Sequence, residues 1–237
     1  MTRSASERPL GEWLAGDRDS GSPADSRPLT LALPKGRLLR PALDLLRRAG
    51  LEGLPADESR KLLFTDSAER LRVLILKPVD VPTYVEYGAA DLGIVGKDVL
   101  LEQEPDVYEP LDLAFGHCRL VVAEPRQLAA RDDPSKWSWV RVATKYPNLT
   151  RRYFAERGIQ VEVVRLDGSI ELAPTVGLAE RIVDLVQSGE TLRQNGLVEV
   201  AEILVSTARL IVNRAAHKTA YLAVRRLLED VGAGVTR

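Results

Sequence analysis

Cysteine is nearly absent: Cys118 stands alone in 237 residues, so an internal disulfide cannot form, and the chain suits a reducing compartment. His117 sits beside it, but no further His or Cys follows nearby to complete a metal site or a nucleophile–base pair, so both are expected to be structural. No stretch approaches the roughly 18 apolar residues of a membrane span. An excess of either charge is missing too. With 33 Lys and Arg against 34 Asp and Glu the net charge is −1, so no global field draws in nucleic acid or anionic lipid. A polyanionic ligand must therefore be held by local clusters of Lys and Arg. Residues 1–28 are rich in Ser, Gly, Asp, Arg and Pro and lack the apolar core of a signal peptide. They are expected to form a disordered extension of a cytoplasmic protein.

What is present fits a soluble protein, with 45% hydrophobic and 28% charged residues and length for one large domain or two small ones. Strand and helix signals alternate along it. Residues 29–33 read as a strand, and apolar residues then recur at helical spacing from Leu38 to Ala49, where Gly50 supplies a stop. Strands are expected at 62–64, 71–76 and 92–95, with a helix at 80–87 that tolerates Pro82 only in its first turn. Extended segments follow at 111–114 and 119–123, and a polar surface connection at 127–139. A strand at 140–144 leads to a helix capped by Asn148, and a strand at 161–166 follows. Residues 197–212 include a long strand, and 219–231 a closing helix with one apolar stripe. Such alternation predicts α/β layers with a mainly parallel sheet.

Two turns carry chemistry. In the first, the apolar strand 181–186 runs into Gln187, Ser188, Gly189 and Glu190, and Thr191 follows at a helix start. That is the layout of a phosphate cradle: Gly189 has no Cβ to crowd an anion, the next N–H groups lie outside any helical ladder, and Ser188 and Thr191 add hydroxyl donors. Strand alternation groups Ile182, Asp184 and Val186, so a carboxylate lies just ahead of the cradle, where it suits neutral hydroxyls or a metal ion rather than the phosphate. Glu190 in the cradle must point its carboxylate away. The same turn also fits an ordinary strand–turn–helix junction with Asp184 on a solvated face. In the second turn, Lys35 and Arg37 flank Gly36 at a helix start, against the macrodipole, which becomes favourable when an anion sits between them and the N–H groups. Two solvated basic residues fit that position equally. Asp91, before the strand at 92–95, fits a packing role.

The run over 171–192 resembles the signature of the ATP phosphoribosyltransferase family: Glu171, Gly177 six residues on, Ile182 and Asp184 in a strand, then Ser188, Gly189, Thr191 and Leu192. The likeness continues through LALPKGRL, SRKLLF, DVPTYVEYGAADLGIVGKDVL, VATKYPN and RLIVN, covering most of the chain. This resemblance implies a two-lobed, periplasmic-binding-protein-like α/β fold with the active site in the interlobe cleft. Residues 29–115 and 195–237 would form lobe I, and 116–194 lobe II with the phosphate loop. It implies transfer of phosphoribosyl from 5-phosphoribosyl diphosphate to N1 of ATP, the first step of histidine biosynthesis, with Mg2+ bound through substrate phosphates. Arg37 and Arg60 would be catalytic at the pyrophosphate. Lys35 would meet phosphate charge, Asp184 and Glu171 the ribose hydroxyls, and Ser188, Gly189, Glu190 and Thr191 the 5-phosphate. Longer family members continue into a histidine-binding domain; this chain looks like the short form. The short form works with a histidyl-tRNA-synthetase-like regulatory subunit, as a homodimer within a hetero-oligomer. Two rivals stand beside this reading. A commoner class of phosphoribosyltransferase carries two adjacent acids before its loop, whereas Val183 and Leu185 flank Asp184. The other is a non-catalytic two-lobed small-molecule binding protein.

Overall fold

The computed structural model describes residues 27–54 and 61–235, so Arg60 and most of the proposed N-terminal extension lie outside the described residues. The chain divides into two compact units. One takes the described residues up to Leu100, Glu104–Gly116 and those from Thr207 onward; the other takes Leu101–Gln103 and His117–Ser206.

The first unit holds a six-stranded sheet. Its strands are β1 (Leu29–Pro34), β2 (Leu63–Thr65), β3 (Leu71–Leu76), β4 (Leu92–Gly96), β5 (Tyr108–Asp112) and β11 (Ala208–Val212), in the spatial order β2-β3-β1-β4-β11-β5. β1 pairs in parallel with β3 and β4, whereas β2 and β11 run antiparallel to their neighbours. The sheet is therefore mixed and not mainly parallel: the chain re-enters this unit through β11 in a direction no crossover helix imposes. Helix α1 (Leu39–Arg48) covers one face with the closing helix, and Leu31, Leu33, Leu43 and Leu46 pack there. On the other face, helix α2 (Val81–Glu86) packs Val81 and Val85 against Ala32 and Ile211. Pro82 lies in the first turn of α2, where its missing N–H costs nothing. Asp91 fills a packing role. It is buried, its carboxylate accepts the Thr30 N–H at 2.8 Å, and the Arg27 guanidinium forks onto it.

The second unit has a five-stranded sheet in the order β10-β6-β9-β7-β8, built from β6 (Cys118–Pro125), β7 (Trp139–Thr144), β8 (Gln160–Arg165), β9 (Arg181–Val186) and β10 (Leu197–Ser206). β9, β7 and β8 are parallel, and β6 and β10 are antiparallel. The pleat sorts β9 cleanly: Val183 and Leu185 join Tyr146, Leu149 and Phe154, while Ile182 and Val186 face Ile170, Ala173 and Leu192. Residues 197–212 are two strands, not one, and the boundary between the units falls at Ser206–Thr207 instead of near residue 195. The reason is pairing, since β10 is hydrogen-bonded to β6 along its length, with two register shifts.

Three local expectations need correction. Helix α3 (Pro147–Ala155) is not capped by the Asn148 side chain, because the Glu102 carboxylate accepts the N–H groups of Asn148 and Leu149, both at 2.9 Å. Residues 127–139 are more than a surface connection. The Arg181 side chain, 6% exposed, bonds Glu124 (2.8 Å) and Asp132 and stacks 4.3 Å from the Trp137 ring, anchoring that segment. The closing helix α5 (Tyr221–Val235) is preceded by a separate short turn of helix, Ala216–Thr219. Here α4 denotes the helix Glu190–Gln194, which opens at the corner after β9. Cys118 is buried against the Ser206 carbonyl at 3.8 Å, and His117 is exposed. No helix among the described residues is long and apolar enough to cross a membrane.

Candidate active site

Each of the two candidate turns lies inside one unit. In the second, β9 delivers the backbone to Gly189, whose φ of +76° lies in the left-handed region; a Cβ there would stand 3.3 Å from Glu199 Oε1. The first backbone bond of α4 runs from Arg193 N–H to the Gly189 carbonyl at 3.0 Å. The N–H groups of Glu190, Thr191 and Leu192 thus precede the helical ladder. The Ser188 hydroxyl leans on the Glu190 N–H at 3.4 Å, a long and weak contact. Thr191 is exposed and Leu192 is buried, so the corner is rooted in the core and open on its outer face. Glu190 does turn away. Its carboxylate is taken by the Arg193 guanidinium and by Gln194 Nε2 at 2.8 Å, one turn along the same helix.

Asp184 lies on the corner's side of β9, its side chain 17% exposed. Its Oδ1 accepts the Leu185 N–H at 2.8 Å and stands 3.7 Å from Lys145 Nζ. Burial pushes the Asp184 carboxyl above the usual carboxylate range; Lys145 and the Leu185 N–H oppose this, and the negative charge of Glu171 adds to it. Glu171 sits in the 3-10 turn Ile170–Leu172, entered through Ser169 at a φ of +50°. A non-glycine residue in that conformation stores about 1 kcal/mol or more. Two carboxylates, one of them largely dry, thus neighbour an anion-ready corner. Sequence reasoning missed Lys145. The signal was present in VATKYPN, but its meaning depends on β7 lying in parallel register beside β9, with Thr144 opposite Val183.

In the first unit, Lys35 and Arg37 flank Gly36, at φ +80°, in a 3-10 turn, Gly36–Leu38, that leads into α1. The Lys35 N–H donates to the Leu76 carbonyl at 2.7 Å, and Arg37 Nη1 donates to the Gly116 carbonyl at 2.8 Å. Both side chains are exposed. The turn therefore carries two cations on one short loop, the composition a polyphosphate needs.

The fold first defines a class. A likeness in fold alone links the chain to two-lobed binding proteins: the alkanesulfonate-binding protein SsuA from Xanthomonas axonopodis pv. citri aligns at a TM-score of 0.54 and 15% identity, covering 91% of this chain and 74% of that one. This is the two-lobed, periplasmic-binding-protein-like class. The particular family follows from sequence. A family model described as HisG, ATP phosphoribosyltransferase, matches residues 77–233. An ATP phosphoribosyltransferase of Geobacter metallireducens is 59% identical over 207 residues, 86% of this chain and 96% of that protein. The solved ATP phosphoribosyl transferase (HisG:HisZ) complex from Thermotoga maritima aligns at a TM-score of 0.76 and 35% identity, covering 88% of this chain and 98% of that one. The chain belongs to the ATP phosphoribosyltransferase family. It is an enzyme, a pentosyl transferase of the first step of histidine biosynthesis, and the non-catalytic reading falls away.

Proposed function

We propose that the chain transfers phosphoribosyl from 5-phosphoribosyl diphosphate to N1 of ATP, and that the corner after β9 holds the donor's ribose 5-phosphate. The observation that carries this assignment is the largely buried Asp184, neighboured by Glu171, on the strand whose Ile182 and Val186 pack with Leu192 of the helix that opens at the corner. The N–H groups, with the hydroxyls of Ser188 and Thr191, take the phosphate, and Gly189 lets it approach. Asp184 and Glu171 accept hydrogen bonds from the ribose hydroxyls. As the bond to pyrophosphate breaks, positive charge grows on the ribose ring, and the two carboxylates favour it. Lys35, Arg37 and Arg60 take the charge of the departing pyrophosphate and of the ATP phosphates. No side chain serves as a nucleophile; adenine N1 attacks the anomeric carbon directly, and positioning supplies much of the rate.

Mg2+ fits this chemistry as an ion carried on substrate oxygens. A hard cation of this kind keeps several waters and binds phosphate oxygens. When bound, it would neutralise the leaving group. The proposed partner is a histidyl-tRNA-synthetase-like regulatory subunit, supported by the two-component Thermotoga maritima complex, and the proposed compartment is the cytoplasm. The test is formation of the ATP adduct, followed by absorbance, from ATP, 5-phosphoribosyl diphosphate and Mg2+, with and without the regulatory subunit. Turnover that falls in Asp184→Asn is expected. Wild-type turnover in that variant would remove the corner from the site.

A further inference from the structure

Lys145 follows β7 directly. The Thr144 hydroxyl, fully buried, accepts the Tyr146 N–H at 2.9 Å, which fixes the turn that carries Lys145. The Lys145 ammonium lies 5.2 Å from the centroid of the buried Tyr146 ring and 3.7 Å from Asp184 Oδ1. Every other element packed near Asp184 brings something different. The 3-10 turn brings Glu171, a like charge. The position opposite on β6 is Val121, which is apolar. Arg119, next along that face of β6, is committed to Glu199 at 2.7 and 3.0 Å and to Glu202 at 3.4 Å. Glu190 is committed to Arg193.

We propose that Lys145 is a positioning residue of the reaction: its ammonium holds Asp184 as an oriented carboxylate toward the ribose hydroxyls and offsets the second negative charge of Glu171. The inference rests on the assignment of Asp184 to the ribose. Its physical basis is that neutral hydroxyls cannot balance two neighbouring carboxylates. A protonated Asp184 would lose an acceptor and would no longer favour a cationic ring. Burial and Glu171 both drive Asp184 toward the protonated form, and Lys145 opposes them. Lys145 is 39% exposed, so its effect is weakened by solvent without being abolished.

The test is the pH profile of kcat/KM for 5-phosphoribosyl diphosphate in the intact enzyme. In Lys145→Gln the acidic limb moves to higher pH, with a loss of about tenfold near about pH 6 and less than about threefold near about pH 8.5. Lys145→Arg restores the limb, and Lys145→Gln added to Asp184→Asn produces no further change. Thermal melting of each variant separates lost activity from lost folding. A uniform rise in KM at every pH, with the limb unmoved, overturns the inference and makes Lys145 a direct phosphate contact. The two levels of failure are distinct. Wild-type activity in Asp184→Asn sinks the ribose assignment itself, whereas an impaired Asp184→Asn beside an unmoved limb in Lys145→Gln sinks only the role given to Lys145.

Discussion

A glutamate in the middle of the proposed phosphate-binding turn would be an electrostatic contradiction unless its carboxylate were bound elsewhere, and Glu190 is bound by Arg193 and Gln194. Removing that restraint should be felt by the substrate. Arg193→Ala is expected to raise the KM for 5-phosphoribosyl diphosphate about two- to fivefold with little change in kcat, and Glu190→Gln should be neutral; steady-state kinetics decides. Thr191→Val deletes a proposed donor and should raise the same KM about fivefold, the size of one neutral hydrogen bond. Asp184→Asn should act on kcat instead, by about tenfold or more, because the charge it removes matters most when the ring becomes cationic.

At the scale of elements, two links that cross long stretches of sequence hold the second unit together. Glu102 closes the N-terminus of α3 from 46 residues away. Glu102→Ala should cost about 1 kcal/mol in urea unfolding, as loss of a cap does elsewhere. Arg181 sits between Glu124, 1% exposed, and Asp132. Burial holds the Glu124 carboxyl above its usual range, partly opposed by Arg181. Asp132 is pulled below its usual range: hydrogen bonds from Arg181 and Trp137 outweigh its desolvation. Arg181→Met should therefore destabilise by about 3 kcal/mol or more near neutrality, since Glu124 is left charged and dry. The signs with pH follow. The depressed Asp132 contributes stability above the unfolded carboxylate range that is lost as pH falls through its folded value. In the variant, Glu124 takes up a proton as pH falls and the penalty eases. The gap between variant and parent in urea midpoint should thus narrow on acidification, and a constant gap would show that the ion pairs are not its source.

At the scale of the whole molecule, the chain leaves one unit and returns to it more than once, by Leu101–Gln103, after Gly116 and at Ser206–Thr207. The two sheets, each flanked by two apolar clusters of its own, should behave as two cooperative groups in amide exchange. β1, β3 and β4 are expected to be protected together, and β6, β9 and β7 together, with β10 following the latter group and β11 the former although a single residue separates them. Exchange of β10 with β11 instead would contradict the pairing.

Much of this was legible in the residues themselves. Alternation in 181–186 sorted Asp184 onto the face of Ile182 and Val186, and Gly189 marked the corner, because a strand's pleat and a left-handed turn are local properties that side-chain size and order dictate. Family membership was legible for a related reason: the spacing from Glu171 to Leu192 lies within one contiguous stretch. What only the tertiary structure decided is which distant residues meet. Lys145 faces Asp184 through parallel strand register, Glu102 replaces Asn148 as a cap, Trp137 and Asp132 close over Arg181, and the chain changes units at Thr207 without a break in its apolar pattern. Long-range pairing is set by packing and hydrogen bonding among strands remote in the chain, and local order carries no record of it.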